Sequence, residues 1–411
     1  MKKNLFVAAI AAATALTTGC TQNDVMQNMT ENNAVAFDVY AGMSTKGLVT
    51  GNGANSTNKV GIETTGFGVY AYYTGQSDWA TEGANTKPNF MFNQEVTYSS
   101  TAWTYTPTKY WPNTPGDKIS FFAYAPYMTN PASGAAITEV SVPNAKDVPT
   151  VKLTLPTANH AGKMIDFVAG QMMNQEKNTG GKAVHFNLKH QTTRVSFSAK
   201  TLDDKNGAVV GGLPENTSVV ITNIKFDAKD GFYSDAVYTF DTEQTDGKKD
   251  DHEQDGTWSN CNPAADFTFT DILDSKDVTI GVDGHKDGDA YKKTAAAHNC
   301  IQIKNRDAAK PLLKTGEYLF LIPPTKDGIA TAGDVTVTIT YDVVTEDPSL
   351  AGKHTAPATH TETIKLPAGT MAQGKAYDYT LVIGLAEVKV AVNVVAWNEV
   401  PGTEEEFPSA E

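Results

Sequence analysis

Few residues in this chain combine the type and spacing that chemistry needs, and the first of them is Cys20. It follows Leu16-Thr17-Thr18-Gly19 at the end of the chain's only long apolar run. That run opens Met1-Lys2-Lys3 and continues through Leu5-Phe6-Val7-Ala8-Ala9-Ile10. A basic start, a short apolar core and small residues before a cut describe a secretory signal. The run falls well short of the ~20 residues a membrane-spanning helix needs. A cysteine directly after Thr-Gly resembles a bacterial lipobox, in which the thiol is lipidated and becomes the mature first residue. Thr17 stands where Leu is usual, with Leu16 one step further back. The expectation is a signal peptide over residues 1–19 and a lipid on Cys20 that ties an exported precursor to the outer membrane. A plain secreted protein is the alternative.

The other candidates for chemistry dissolve on inspection. Gly66-Phe67-Gly68-Val69-Tyr70-Ala71 fits a dinucleotide fingerprint by letter. Its mechanism needs a strand before it and a helix N-terminus after it, and here an aromatic strand follows. Asp251-His252-Glu253-Gln254-Asp255-Gly256 loosely resembles a calcium loop, but Asn262 stands where the bidentate Glu belongs. The eight histidines do not cluster; His185 and His190 lie five apart around a strand end with no cysteine at zinc spacing. No nucleophile elbow or paired-carboxylate signature stands out. The expectation is no catalytic site, no metal site and no cofactor, hence not an enzyme. Once Cys20 is lipidated, Cys261 and Cys300 remain; outside the cytoplasm they could pair, which sequence alone leaves open.

Elements must exist to position whatever remains. The net charge of −14 becomes −16 once Lys2 and Lys3 leave with the signal, and no basic block offsets it. Such a chain has no electrostatic footprint for nucleic acid. Hydrophobic residues make up 40% of the chain, enough for real cores, while the polar remainder is rich in Thr, Asn, Ser and Gly. That mix favours strands joined by turns. Residues 20–33 read as a flexible tether. Val35, Phe37 and Val39 then share one face of a strand, followed by a soft loop, 41–59, that contains Lys46. Strand signals recur at 67–73, 103–105, 118–124, 151–155, 165–169, 184–188, 194–199, 219–226 and 318–322. Residues 335–341 alternate apolar and Thr strictly, the plainest half-buried strand in the chain. Residues 377–383 and 387–394 close the series. No long amphipathic helix is evident. The class is all-β, most simply two sandwiches: 34–180 and 181–400, split at the polar turn 174–181. An acidic excursion at 241–256 and an acidic tail at 401–411 lie outside the cores.

Several stretches together resemble a known family. Trp103-Thr104-Tyr105-Thr106-Pro107-Thr108-Lys109-Tyr110-Trp111-Pro112 and Ile119-Ser120-Phe121-Phe122-Ala123-Tyr124-Ala125-Pro126-Tyr127 look like the hallmark of fimbrillin-like proteins of Bacteroides-type bacteria. Val184–His190 followed by Arg194-Val195-Ser196-Phe197, then Leu321-Ile322-Pro323-Pro324 and Val394-Val395-Ala396-Trp397, match later landmarks of that family. The resemblance implies two transthyretin-like β-sandwich domains and a stalk or accessory subunit of a cell-surface fimbrium, with other fimbrial subunits as partners. It also implies assembly in which a protease removes the first strand and a neighbour's terminal strand fills the vacated groove. In this chain Val35, Phe37 and Val39 would be the displaced strand and Lys46 the cleavage residue. Val388, Val390, Val392 and Val394 would be the donor face, since strand addition asks for one continuous apolar face. Residues 388–394 read equally as the last strand of their own domain. The competing class is a monomeric surface lipoprotein or fimbrial tip adhesin that binds a glycan or host ligand. Tyr110, Trp111, Phe121 and Tyr124 are the aromatics such a platform would use, although their placement within strands points to packing.

Overall fold

The structure, a computed structural model of the chain, describes residues 33–40, 61–99, 101–127, 136–156, 164–177, 183–202, 212–242, 256–264, 277–280, 291–294, 301–304, 308–313, 318–351, 354–385 and 388–396. Cys20, Lys46, Cys300, most of the acidic excursion and the acidic tail lie outside them.

The first sandwich is built on an antiparallel six-stranded sheet. Its order is β10 (Lys189–His190), β8 (Val168–Glu176), β5 (Lys118–Ala125), β2 (Phe67–Gly75), β3 (Met91–Ser99) and β4 (Ala102–Thr104). Period-2 alternation divides its aromatic content between two faces. Tyr70, Tyr72, Phe122 and Tyr124 join the main core, while Phe67, Val69, Ile119 and Phe121 join a second, smaller core. A sheet covered on both faces reads as a nearly unbroken apolar run, which is what 67–73 and 119–125 are. The main-core face packs on a four-stranded sheet, β14 (Thr257–Ala264), β13 (Phe232–Thr239), β7 (Thr150–Thr154) and β6 (Ala136–Val140). Phe122 meets Phe240 at 5.5 Å and Phe167 meets Tyr238 at 5.1 Å across the gap.

Gly66 and Gly68, which fit the cofactor fingerprint by letter, are shaped by this packing. Gly66 has φ +67°, and a Cβ there would stand 2.6 Å from the Val96 carbonyl oxygen. A Cβ on Gly68 would strike the Tyr124 ring at 2.4 Å. The residues after them continue as β2. No helix opens there to present amides to a pyrophosphate.

The second sandwich faces a mixed sheet against an antiparallel one. The first holds β18 (Lys310–Pro311), β11 (Thr193–Thr201), β22 (Lys375–Ile383) and β23 (Val388–Ala396), with β19 (Leu319–Leu321) also paired to β11. The second holds β17 (Ile301–Lys304), β12 (Thr217–Ala228), β20 (Val335–Thr345) and β21 (Ala358–Lys365). Phe197 of β11 meets Phe226 of β12 at 5.2 Å in the core between them. β20 keeps the alternation read from its sequence: Val335, Val337, Ile339 and Tyr341 are buried and the threonines between them are partly exposed. β15 (Asp277–Ile280) and β16 (Tyr291–Thr294) form a short antiparallel pair of their own.

Strand pairing does not respect a single cut in the chain. β10 lies beyond residue 180 yet pairs with β8, and β13 pairs with the much earlier β7, as in Asp235 with Thr154. A division at 180/181 crosses both ladders. The expected strand at 165–169 also begins later, at Val168.

Candidate functional site

The second core holds a strand that belongs to neither sandwich sheet. β1 (Phe37–Tyr40) forms a two-stranded parallel ribbon with β9 (Val184–Asn187), in the register Phe37 to Val184 and Val39 to Phe186. β9 immediately precedes β10, so this ribbon is tethered to the edge of the six-stranded sheet and lies over its second-core face.

Sequence alternation decides which side chains enter. Val35 is 2% exposed and Phe37 6%, Val39 is half-buried, and Ala36 and Asp38 face solvent. The Phe37 ring is enclosed by Phe67 at 6.2 Å, Tyr105 at 5.3 Å, Phe121 at 5.9 Å and Phe186 at 5.8 Å, mostly edge-on or tilted. Trp111 packs on Phe121 at 5.9 Å and Trp103 on Phe67 at 4.9 Å, walling the pocket. Rings in such arrangements gain about 0.5–1.5 kcal/mol per pair beyond area burial.

The backbone of this segment is held from both sides. On one side the Val184 amide donates to the Ala36 carbonyl at 2.8 Å. On the other, the Val35 amide donates to the Lys109 carbonyl and the Trp111 amide to the Asn33 carbonyl, both at 2.9 Å. An isolated bridge pairs Ala34 with Tyr110. Pro107 and Pro112 punctuate this facing stretch and remove amide donors, so it offers separate contacts and not a continuous ladder. The Tyr105 hydroxyl donates to the Val35 carbonyl at 2.7 Å and accepts from the Lys109 amide at 3.3 Å. Burial pushes that phenol above its ordinary pKa, so it remains a donor at physiological pH. At the rim, His185 Nδ1 lies 3.0 Å from Asp38 Oδ2, both well exposed.

The residues read as a donor face sit differently. β23 is the outer strand of its sheet and pairs antiparallel with β22 over nine residues, from Lys375–Ala396 to Ile383–Val388. Val388, Val390 and Val392 are half-buried against the main core, and Val394 is 52% exposed. In this chain β23 is thus a resident strand. Of the four family aromatics, Trp111, Phe121 and Tyr124 are buried, while Tyr110 is 48% exposed beside Ala34. Cys261 is a free, half-buried thiol. Among the described residues no group of three or more His, Cys, Asp and Glu is arranged to hold a metal.

Sequence reasoning missed one buried cluster. His190 contacts Asp166 at 2.8–2.9 Å with both side chains inaccessible, and Arg194 stacks over Tyr318 at 4.6 Å. Burial pushes the Asp166 carboxyl upward, with His190 and then Arg194 opposing that shift. The turn between β10 and β11 is stitched down on all sides. Gln191 accepts from the Trp258 indole at 2.9 Å and from Gln373 Nε2 at 2.7 Å, and Thr192 accepts from the Gly374 amide. This cluster fixes the point where the chain passes from one sandwich to the other. Only the His and Arg were visible as a motif; Asp166 carried no local signal.

The fold and this seat define a class: an all-β protein of two sandwiches in which an N-terminal strand plugs an aromatic groove. The fimbrillin-like family's sequence profile matches residues 49–397. The chain is 32% identical over 401 residues to fimbrium subunit Fim1C of Phocaeicola vulgatus, covering 94% of this chain and 95% of that protein. The crystal structure of a fimbrial protein from Bacteroides vulgatus superposes with a TM-score of 0.65 at 27% identity, covering 89% of this chain and 99% of that one. The chain belongs to the fimbrillin-like family and is a fimbrial subunit of the Bacteroides type.

Proposed function

We propose that this subunit is exported as a precursor lipidated on Cys20 and held at the outer membrane until a protease cuts in the segment containing Lys46. The cut frees β1, and the C-terminal strand of a neighbouring subunit, with Val388, Val390, Val392 and Val394 as its apolar face, occupies the groove. Repetition of that step builds the fimbrium, with this chain as a stalk or accessory subunit. The observation that carries the reading is the seat of β1: a strand outside both sandwich sheets, with one ring enclosed by four others.

The energetics suit a switch. Val35 and Phe37, with a share from Val39, contribute roughly 1.5–3 kcal/mol each when fully buried, and each backbone contact adds about 0.5–1.5 kcal/mol. A donor strand with a similar face gains a similar amount, so equilibrium alone does not drive exchange. The resident strand, joined through residues 41–60, also enjoys a high effective concentration. Cutting the connection removes that advantage.

Purified chain treated with a trypsin-like protease is expected to form detergent-resistant ladders, and Lys46→Ala to abolish them. Laddering that persists in Lys46→Ala sinks the cleavage assignment, and laddering that survives removal of residues 387–411 sinks the donor assignment.

A further inference from the structure

We infer that the residue that fills the Phe37 pocket of a neighbouring copy is Trp397, and that the donor seats in the register Val395-Ala396-Trp397-Asn398 over Val35-Ala36-Phe37-Asp38. This rests on the strand-exchange reading above but replaces its donor face: Val395 and Trp397 enter the groove, while Val394 falls at position 34 and Val388, Val390 and Val392 lie ahead of it.

The groove states its requirements through β1. It takes an apolar residue at position 35, a solvent-facing one at 36, a ring at 37 and a solvent-facing polar group at 38. Val395-Ala396-Trp397-Asn398 repeats that order, with Val and Ala identical, Trp for Phe and Asn for Asp. β9, the other strand of the ribbon, carries a related pattern in Val184-His185-Phe186-Asn187. The four valines at 388–394 have no ring to offer. Any of them placed at position 37 leaves part of a four-ring enclosure without contacts, and voids in a close-packed core are costly.

One further observation agrees. Asn398 placed at position 38 sets an amide opposite His185, where Asp38 now lies 3.0 Å from Nδ1. The Tyr105 hydroxyl and the Lys109 carbonyl bond the backbone at position 35, so they accept any donor residue there.

The register is testable because Ala34 bridges Tyr110. Bridged residues have Cα atoms about 4.5–5.5 Å apart, within disulfide range. In the full chain with Cys261 and Cys300 replaced by Ser, Tyr110→Cys is combined in turn with Glu387→Cys, Lys389→Cys, Ala391→Cys and Val394→Cys, and ladders are formed with protease and oxidised. The inference expects cross-linking between copies with Val394→Cys. Cross-linking at 387, 389 or 391 instead places a valine in the pocket and overturns the register while leaving strand exchange standing. Ladders that cross-link at none of the four overturn it as well. If the parent chain does not ladder, strand exchange itself fails and the register with it. As a second readout, Trp397→Val should slow laddering by roughly tenfold or more, the scale of a lost large-to-small core contact, and Trp397→Phe should restore it. Unchanged laddering in Trp397→Val overturns the assignment.

Discussion

β1 carries four residues in a parallel ladder with β9, whereas β23 carries nine in an antiparallel ladder with β22. Their side chains reverse that ranking. Val35 and Phe37 are buried among aromatic rings, while Val388, Val390 and Val392 of β23 are only half-buried and Val394 is 52% exposed. One strand is held mainly by what its side chains fill and the other mainly by its rungs. A ring in an enclosure is specific for shape, whereas backbone rungs are nearly indifferent to sequence. A groove that selects its occupant therefore depends on the first kind of binding, and an edge that must stay soluble until needed is served by the second.

This contrast can be broken at several points. The largest effect is expected at alkaline pH. Burial raises the phenols of Tyr70, Tyr72 and Tyr379 far above the usual tyrosine range, and raises Tyr105 and Tyr377 as well. A folded-state pKa above the unfolded value gives stability that is fully present below about pH 10 and is lost as pH rises beyond it. These tyrosines should ionise together with unfolding, seen as an absorbance step near 295 nm that coincides with loss of β-sheet circular dichroism. Ionisation of every tyrosine near its ordinary value, with the fold intact, contradicts the burial described for both regions.

Next comes Phe37→Ala, which empties the enclosure and should cost about 3–5 kcal/mol by urea unfolding of the intact chain. Val390→Ala, on the half-buried face of β23, should cost only about 1–2 kcal/mol, below a fully buried aliphatic site. Equal losses at the two positions would erase the distinction between filling and rung-holding. Tyr105→Phe removes one hydrogen bond to the Val35 carbonyl and should cost about 1 kcal/mol. The smallest effect belongs to Asp38→Ala at the exposed rim, within about 1 kcal/mol and diminished further by salt. A larger, salt-insensitive loss would mean that the rim pair, and not the ring, secures β1.

Much of this was legible in the chain. Strict alternation in 335–341 announced β20, and the unbroken apolar runs at 67–73 and 119–125 announced strands buried on both faces. Val35, Phe37 and Val39 were readable as one face of a strand because period-2 patterning is local. β21 gave no such signal: Ala358 to Lys365 is exposed over nearly its whole length, so neither face is marked by apolar residues. β13 looked like part of the second half because nothing in its own residues says that β7 is its partner.

By itself, then, the sequence determined the strand-rich class, the faces of the plainest strands and the family landmarks. Each of these depends on neighbours within a few residues along the chain. Only the tertiary structure decided that β1 lies parallel to β9 in a pocket of four rings, that β23 is resident on β22, and that Asp166 meets His190 beneath the turn between sandwiches. Those outcomes depend on which distant surfaces exclude water together, and burial of that kind leaves no local mark on the residues involved.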